Sequence, residues 1–182
     1  MKIEQSILVD ELRGLTLQAK EDVLKFKSYT PEHLNHKANA EDWSILECIE
    51  HLCLYGKFYL PEIENRILPA DLAENTYFKS GLLGNYFVNM IKASNSKKMK
   101  TGQEMNAIGS ELNMSTLDQF LKQLEWLDSI LLRSSKNDLT KVKTSISISK
   151  MIKLRLGDTL RFVVHHNERH ILQAKSVAFP PR

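Results

Sequence analysis

Apolar residues recur at helical spacing through four long stretches of this chain. From about Glu4 to Lys27, the residues Leu8, Leu12, Leu15, Ala19, Val23 and Phe26 fall on one face of a helix. Tyr29-Thr30-Pro31 ends it, because a residue before proline is pushed out of the helical region. A second helix opens at Trp43-Ser44-Ile45-Leu46-Glu47, where Ser44 and Glu47 have the spacing of a capping box. Ile45, Ile49, Leu52, Gly56, Tyr59 and Ile63 then share one face, widened by Cys48, Tyr55 and Phe58. Pro61 is expected to kink or shorten the far end. A third helix follows another expected capping pair, Ser115 and Asp118, and carries Leu117, Phe120, Leu121, Leu124, Leu127 and Leu131. A fourth begins near Gly157-Asp158-Thr159, with Asp158 placed against the positive helix end and Leu160, Val163, Ile171 and Ala174 on the apolar side.

Between these stretches the pattern weakens. Leu68 to Met114 forms a long excursion, with a short helix expected at Leu82–Ile91 and mobile, Lys-rich sequence at Ser94–Gly102. Val142, Thr144, Ile146 and Ile148 alternate with polar residues as an extended segment would, but a single strand has no evident partner. There is no internal repeat. The economical architecture is all-α, a four-helix bundle in one domain spanning residues 1–182.

Composition agrees. Of 182 residues, 42% are hydrophobic and 26% charged, so the chain can bury a core and is not disordered as a whole. Seven Gly and five Pro favour few long elements over many short strands. No export signal is visible, and the uncharged run Ser80–Ile91 is too short to span a bilayer. Cys48 and Cys53 sit five apart on one helix and point in different directions, so they are poorly placed for a mutual disulfide. A reducing, cytoplasmic setting is the simpler expectation.

The net charge of +3 implies neither nucleic acid nor an anionic membrane as partner. The charge is unevenly placed, however. From Arg133 to Arg155 the chain holds seven cations against one acid, Asp138, so that stretch carries +6 and the remainder −3. Such a run can be a solvated basic loop or a funnel for an anionic substrate, and the sequence leaves both open.

The candidate chemistry lies in the histidines. His166 and His170 are spaced i, i+4, which sets them roughly 40° apart around a helix and roughly 6 Å apart along it, within reach of one ion. Gln173 falls on the same side, next to the apolar stripe. His165 points the other way, among Arg161, Glu168 and Arg169, and reads as a surface residue. The pair alone fits a metal site and two hydrogen-bonded core histidines equally well. His51 is the one histidine inside another long helix, amid Cys48, Tyr55 and Phe58, where an imidazole needs a partner; it is the candidate third nitrogen ligand. His33 and His36 lie in polar sequence and read as solvated loop residues.

Sharper motifs are excluded. Glu168 stands two residues after His166, roughly 200° around the helix, so it cannot be the base of a His-Glu-x-x-His protease. Glu47 and Glu50 precede His51 at offsets of four and one, which breaks the Glu-x-x-His pattern of di-iron bundles. Glu47 keeps two readings, helix cap and outer metal partner. No Gly-x-Ser-x-Gly, placed Cys-His pair or phosphate loop is present.

Two segments resemble a known family. Trp43-Ser44-Ile45-Leu46-Glu47-Cys48-Ile49-Glu50-His51-Leu52 is similar to the second-helix signature of the DinB/YfiT-like superfamily. Leu156-Gly157-Asp158-Thr159-Leu160-Arg161-Phe162, running into His166-Asn167-Glu168-Arg169-His170-Ile171-Leu172-Gln173, resembles its last helix. The likeness spans roughly residues 5–178 and is closest to the YfiT-like branch. It implies a four-helix bundle in which His51, His166 and His170 bind one divalent ion, nickel or zinc. It further implies a small-molecule substrate, hydrolysis or transfer to a low-molecular-weight thiol as the reaction, and a homodimer such as members often form. A non-catalytic metal- or ligand-binding stress protein is the alternative. The family name reflects induction by DNA damage and does not imply DNA binding.

Overall fold

The capping box expected at Ser44 is formed. The Ser44 hydroxyl accepts a hydrogen bond from the Glu47 backbone N–H at 3.1 Å, and the Glu47 carboxylate accepts one from the Ser44 N–H at 2.8 Å. Two otherwise unpaired donors of the helix start are thereby satisfied. Both side chains are buried. Ser44→Ala is therefore expected to cost about 1 kcal/mol, a fall of about 2–4 °C in melting temperature for a chain of this size, measurable by thermal denaturation. An unchanged melting temperature would mean that the box does not hold this helix.

The computed structural model describes residues 1–67, 76–95 and 101–178. In chain order the elements are β1 Lys2–Glu4, α1 Gln5–Phe26, the short α2 Pro31–Asn35, α3 Ile45–Glu64, β2 Tyr77–Lys79, α4 Leu82–Ile91, a 3-10 turn Gln103–Met105, α5 Ser115–Ser134, β3 Lys143–Ile146, β4 Ser149–Arg155 and α6 Leu156–Ala178. The four long helices close a ring, with α3 packed on α5 and α6, and α1 packed on α5 and α6. This is the all-α bundle expected, and α4 is laid against the outside of α6. No described helix is long and apolar enough to cross a membrane.

Two apolar clusters fill the bundle. One gathers Val23, Phe26, Leu34, Ile45, Ile49 and Phe120 with Ile171 and Ala174. The other gathers Leu8, Leu12, Tyr59, Ile63 and Leu127 with Leu160 and Val163. Along α6, His166 and His170 fall between the segments that feed these two clusters.

Several expectations need correction. Ser115 does not cap α5: it is the first helical residue, and the Asn113 side-chain oxygen accepts from its N–H at 2.9 Å, while Asp118 pairs with Lys27. An Asx residue two positions earlier does the same electrostatic job, so the Ser-x-x-Asp pattern was coincidental. Pro61 does not shorten α3, which runs on to Glu64. Proline removes only one N–H donor near the helix end, and the buried Tyr59, Leu60 and Ile63 hold the turn.

The alternating segment has a partner after all. β3 pairs antiparallel with β4, Thr144 opposite Leu154. Because β4 lacks clean alternation, periodicity could not reveal it. A second ribbon pairs β1 with β2, Ile3 opposite Phe78. Of the Lys-rich stretch expected at Ser94–Gly102, residues 96–100 lie outside the described residues.

α6 begins at Leu156, one residue before the expected start, and its second residue must be small. A Cβ on Gly157 would stand 2.5 Å from the ring of Phe78, which is fully buried. Gly157→Ala is expected to cost about 1–3 kcal/mol through overpacking, read as a lower denaturation midpoint. An unaltered midpoint would show that β2 yields freely.

Candidate metal centre

α3 and α6 run antiparallel, so Trp43 meets His170, His51 meets His166, and Tyr59 meets Phe162 in successive layers. The i, i+4 spacing sets His166 above His170 on α6, and the crossing brings His51 against both. One ligating atom from each of His51, His166 and His170 lies within 4.8 Å of the others. His51 and His166 are buried, and His170 is partly so.

Each ring is held by identifiable partners. His51 Nδ1 lies 2.6 Å from the carbonyl oxygen of Met105. A carbonyl only accepts, so Nδ1 carries the proton and Nε2 keeps a bare lone pair. His170 Nδ1 lies 2.9 Å from the amide oxygen of Gln173, which fixes the same tautomer. Trp43 meets the His51 ring edge-on at 4.7 Å between centroids and stacks on His170 at 5.7 Å. Tyr55 packs on His166 at 4.1 Å, and Phe162 lies parallel to it at 5.7 Å.

Burial keeps all three imidazoles neutral. Desolvation pushes His51 down to about 4, against a smaller opposing effect from the Met105 carbonyl. It pushes His170 down to about 3, aided by the neighbouring His51. His166 is held well below the ordinary range by burial, then by His170 and His51. Their ordinary value is about 6.5. Between that value and the depressed ones, the unfolded chain binds protons that the folded chain does not. The contribution to stability is therefore complete above pH 6.5 and lost as pH falls toward 4. For metal-free protein the melting temperature is expected to drop across that window and to be flat just above it. A flat profile from pH 7 to 4 would mean that the rings are solvated.

The donor set fits a divalent ion of the zinc or nickel kind. His51 Nε2 and His166 Nε2 lie 3.3 Å apart. Two nitrogens each about 2.0–2.1 Å from one ion at a tetrahedral angle stand about 3.3 Å apart as well. Three neutral nitrogens suit such ions, whereas magnesium and calcium prefer oxygen. The Nδ1–H bonds to Met105 and Gln173 are the outer contacts that orient metal-bound histidines.

The rings open on a cleft of about 960 Å³. Tyr55, Tyr59 and Phe162 line it from the bundle, Phe87 and Met90 from α4, and Ile146 and Leu154 from the hairpin. Its charged lining, among the described residues, is Glu41, Asp42 and Arg169. None of the described cations between Arg133 and Arg155 lines it: Arg133 pairs with Glu64 and Lys141 with Asp138. The hairpin turns Ile146, Ile148 and Leu154 to the cleft, and the side chain of Lys150 lies outside those described.

The other residues singled out by sequence lie apart from the centre. Glu47 serves the cap, pairs with Lys37 and accepts from Gly109 N–H, so its outer-partner reading gives way to a structural one. His165 is not exposed: only 16% of its side chain is accessible, and it contacts Glu168 at 2.9 Å. His33 sits on α2 stacked against Tyr29 rather than in a loop, and His36 is exposed. Cys48 and Cys53 are free and buried. The Met105 carbonyl had no signal in the sequence. Tyr55 and Phe162 did, each standing four residues from a histidine.

Comparison with known proteins adds one finding. The family model described as the DinB superfamily matches residues 15–174. No curated protein and no solved structure matches.

Proposed function

The chain belongs to the DinB superfamily, and from that premise we propose that it is a metal-dependent enzyme whose His51, His166 and His170 hold one zinc or nickel ion beside a small-molecule cleft. The observation that carries this reading is the convergence of three neutral imidazoles, two with their Nε2 lone pairs left bare by Nδ1–H bonds, at the wall of that cleft. Bound there, a divalent ion supplies Lewis acidity, lowering the pKa of a water or thiol and polarising a substrate carbonyl or leaving group. Hydrolysis and transfer to a low-molecular-weight thiol both draw on that chemistry.

The chain's own side chains have definable parts. Met105 and Gln173 hold His51 and His170 in the ligating tautomer. Trp43 fills the space beside both rings and fixes their orientation. Tyr55 and Phe162 cover His166 and keep water from its ring. In this reading the partner is a small molecule rather than nucleic acid, and the setting is a reducing cytoplasm, in keeping with two unpaired cysteines. A homodimer completes the proposal; light scattering should give twice the 21.0 kDa of one chain.

The test begins with untagged protein, stripped and reloaded with zinc or nickel, and metal analysis by mass spectrometry. One ion per chain is expected. Stripped and loaded forms are then compared in ester and amide hydrolysis and in thiol conjugation of an electrophile. Failure to retain either metal would sink the reading. Stoichiometric metal with no turnover in any assay would instead favour the non-catalytic binding protein.

A further inference from the structure

The cleft is much larger than a metal site and a short substrate require, and its two ends differ in chemistry. Trp43 stacks on His170, so its neighbours Glu41 and Asp42 belong to the His170 end, as does Arg169, the residue before His170. Those are its charged lining residues among the described ones. In the opposite direction, α3 presents Tyr55 and Tyr59, one and two turns beyond His51, and α6 presents Phe162, one turn before His166. Tyr55 and Tyr59 lie nearly parallel at 6.0 Å, and Tyr59 and Phe162 are 5.5 Å apart. Ile146 and Leu154 of the hairpin and Phe87 of α4 complete that half.

The hairpin is latched in place. Ser147 donates its backbone N–H to the Tyr59 hydroxyl at 3.2 Å, and the Ser147 and Tyr59 hydroxyls are 3.3 Å apart. Glu62 accepts from the Ser145 N–H at 2.8 Å. These bonds pair Ser147 and Tyr59 with each other, and the hairpin's other residues lining the cleft are the apolar Ile146, Ile148 and Leu154.

We propose that this aromatic half of the cleft, from His51 to Ile146 and Ile148, is a subsite for an unbranched apolar arm, so that the substrate is a lipophilic molecule with its reactive head at the three histidines. The proposal rests on the metal reading for the head and on the cleft alone for the arm. From His51 to Tyr59 is eight residues of helix, about 12 Å, the reach of an extended chain of about eight to ten carbons. Among the described residues, an anionic thiol with several charged groups would find no cation along that half.

The test separates the two parts. Zinc-loaded protein is titrated calorimetrically with acetohydroxamate, butanohydroxamate, hexanohydroxamate and octanohydroxamate, whose shared head chelates metal. Each buried methylene is worth about a threefold to fourfold gain in affinity. Octanohydroxamate is therefore expected to bind at least about a hundredfold more tightly than acetohydroxamate. Ile148→Glu places a carboxylate at the far end, on a residue that is 72% exposed, so folding is not at risk. It should remove most of the gain for the eight-carbon chain and leave acetohydroxamate unchanged. In parallel, metal-free protein is titrated with 1-butanol, 1-hexanol and 1-octanol, read by tryptophan and tyrosine fluorescence. If hydroxamates fail to bind while the alcohols still climb with length, the metal reading falls and the subsite stands. A flat length dependence in both series, or equal octanohydroxamate binding by Ile148→Glu, overturns the subsite.

Discussion

Replacing His166 with alanine is expected to abolish stoichiometric metal binding, and His51→Ala and His170→Ala should do the same. Each ring touches both others, with centroids 5.0 Å apart for His51 and His166, 4.7 Å for His166 and His170, and 4.5 Å for His51 and His170. Removing any one leaves two nitrogens for an ion that ordinarily takes three protein ligands at a catalytic site. The loss should exceed the about 10- to 100-fold expected for removing an outer partner, which is the effect predicted for Gln173→Ala. His165→Ala is the control, because that ring turns to Glu168 and should leave metal content intact. A second readout guards against simple unfolding. An ion at about a thousandfold over its dissociation constant stabilises the folded state by about 4 kcal/mol, so the wild-type melting temperature should rise on loading. That rise should vanish in the three variants even where their circular dichroism is native. Equal metal loss in His165→Ala would show that the wrong face of α6 had been assigned.

The second large effect lies away from the histidines, in the ion pair that fastens α4 to α6. Asp158 is fully buried and Arg161 is 3% exposed, with Arg161 Nη1 to Asp158 Oδ1 at 3.2 Å. The same carboxylate accepts from the Ser80 hydroxyl and from the Gly81 N–H, the latter at 2.8 Å. A Cβ on Gly84 would stand 2.4 Å from Asp158, so α4 approaches this close only because that residue is glycine. Burial pulls the Arg161 pKa down, and Asp158 opposes it. Asp158→Ala leaves a buried guanidinium without a counter-charge and orphans two donors, which is expected to cost about 3–5 kcal/mol. For a chain of this size that is a fall of about 6–20 °C in melting temperature. Removing both partners, as in Asp158→Ala with Arg161→Met, should recover much of the loss, because the stranded charge is gone. If the double variant is as unstable as the single one, the cost comes from lost packing rather than from an unpaired charge.

What could be read from the sequence was whatever a single helix fixes by its own repeat. The bounds of α1 and α4, the start of α3 at its capping box and the shared face of His166, His170 and Gln173 follow from 3.6 residues per turn. The repeat also puts Tyr55 and Tyr59 in line with His51. It could not say which helix lies opposite α6, and the contact of His51 with His166 joins residues 115 apart in the chain. The sequence singled out His51 because it stands inside another long helix, and the bundle's packing brings it against His166 and His170. The burial of Arg161 could not be read for the same reason. A charged residue is expected in water, and its burial depends on a carboxylate one turn away and on α4 covering both. In the basic stretch before α6, charge is visible in sequence while strand pairing is not. Once β3 and β4 pair, side chains alternate between two faces, and tertiary contact with α3 chose the apolar face for the cleft.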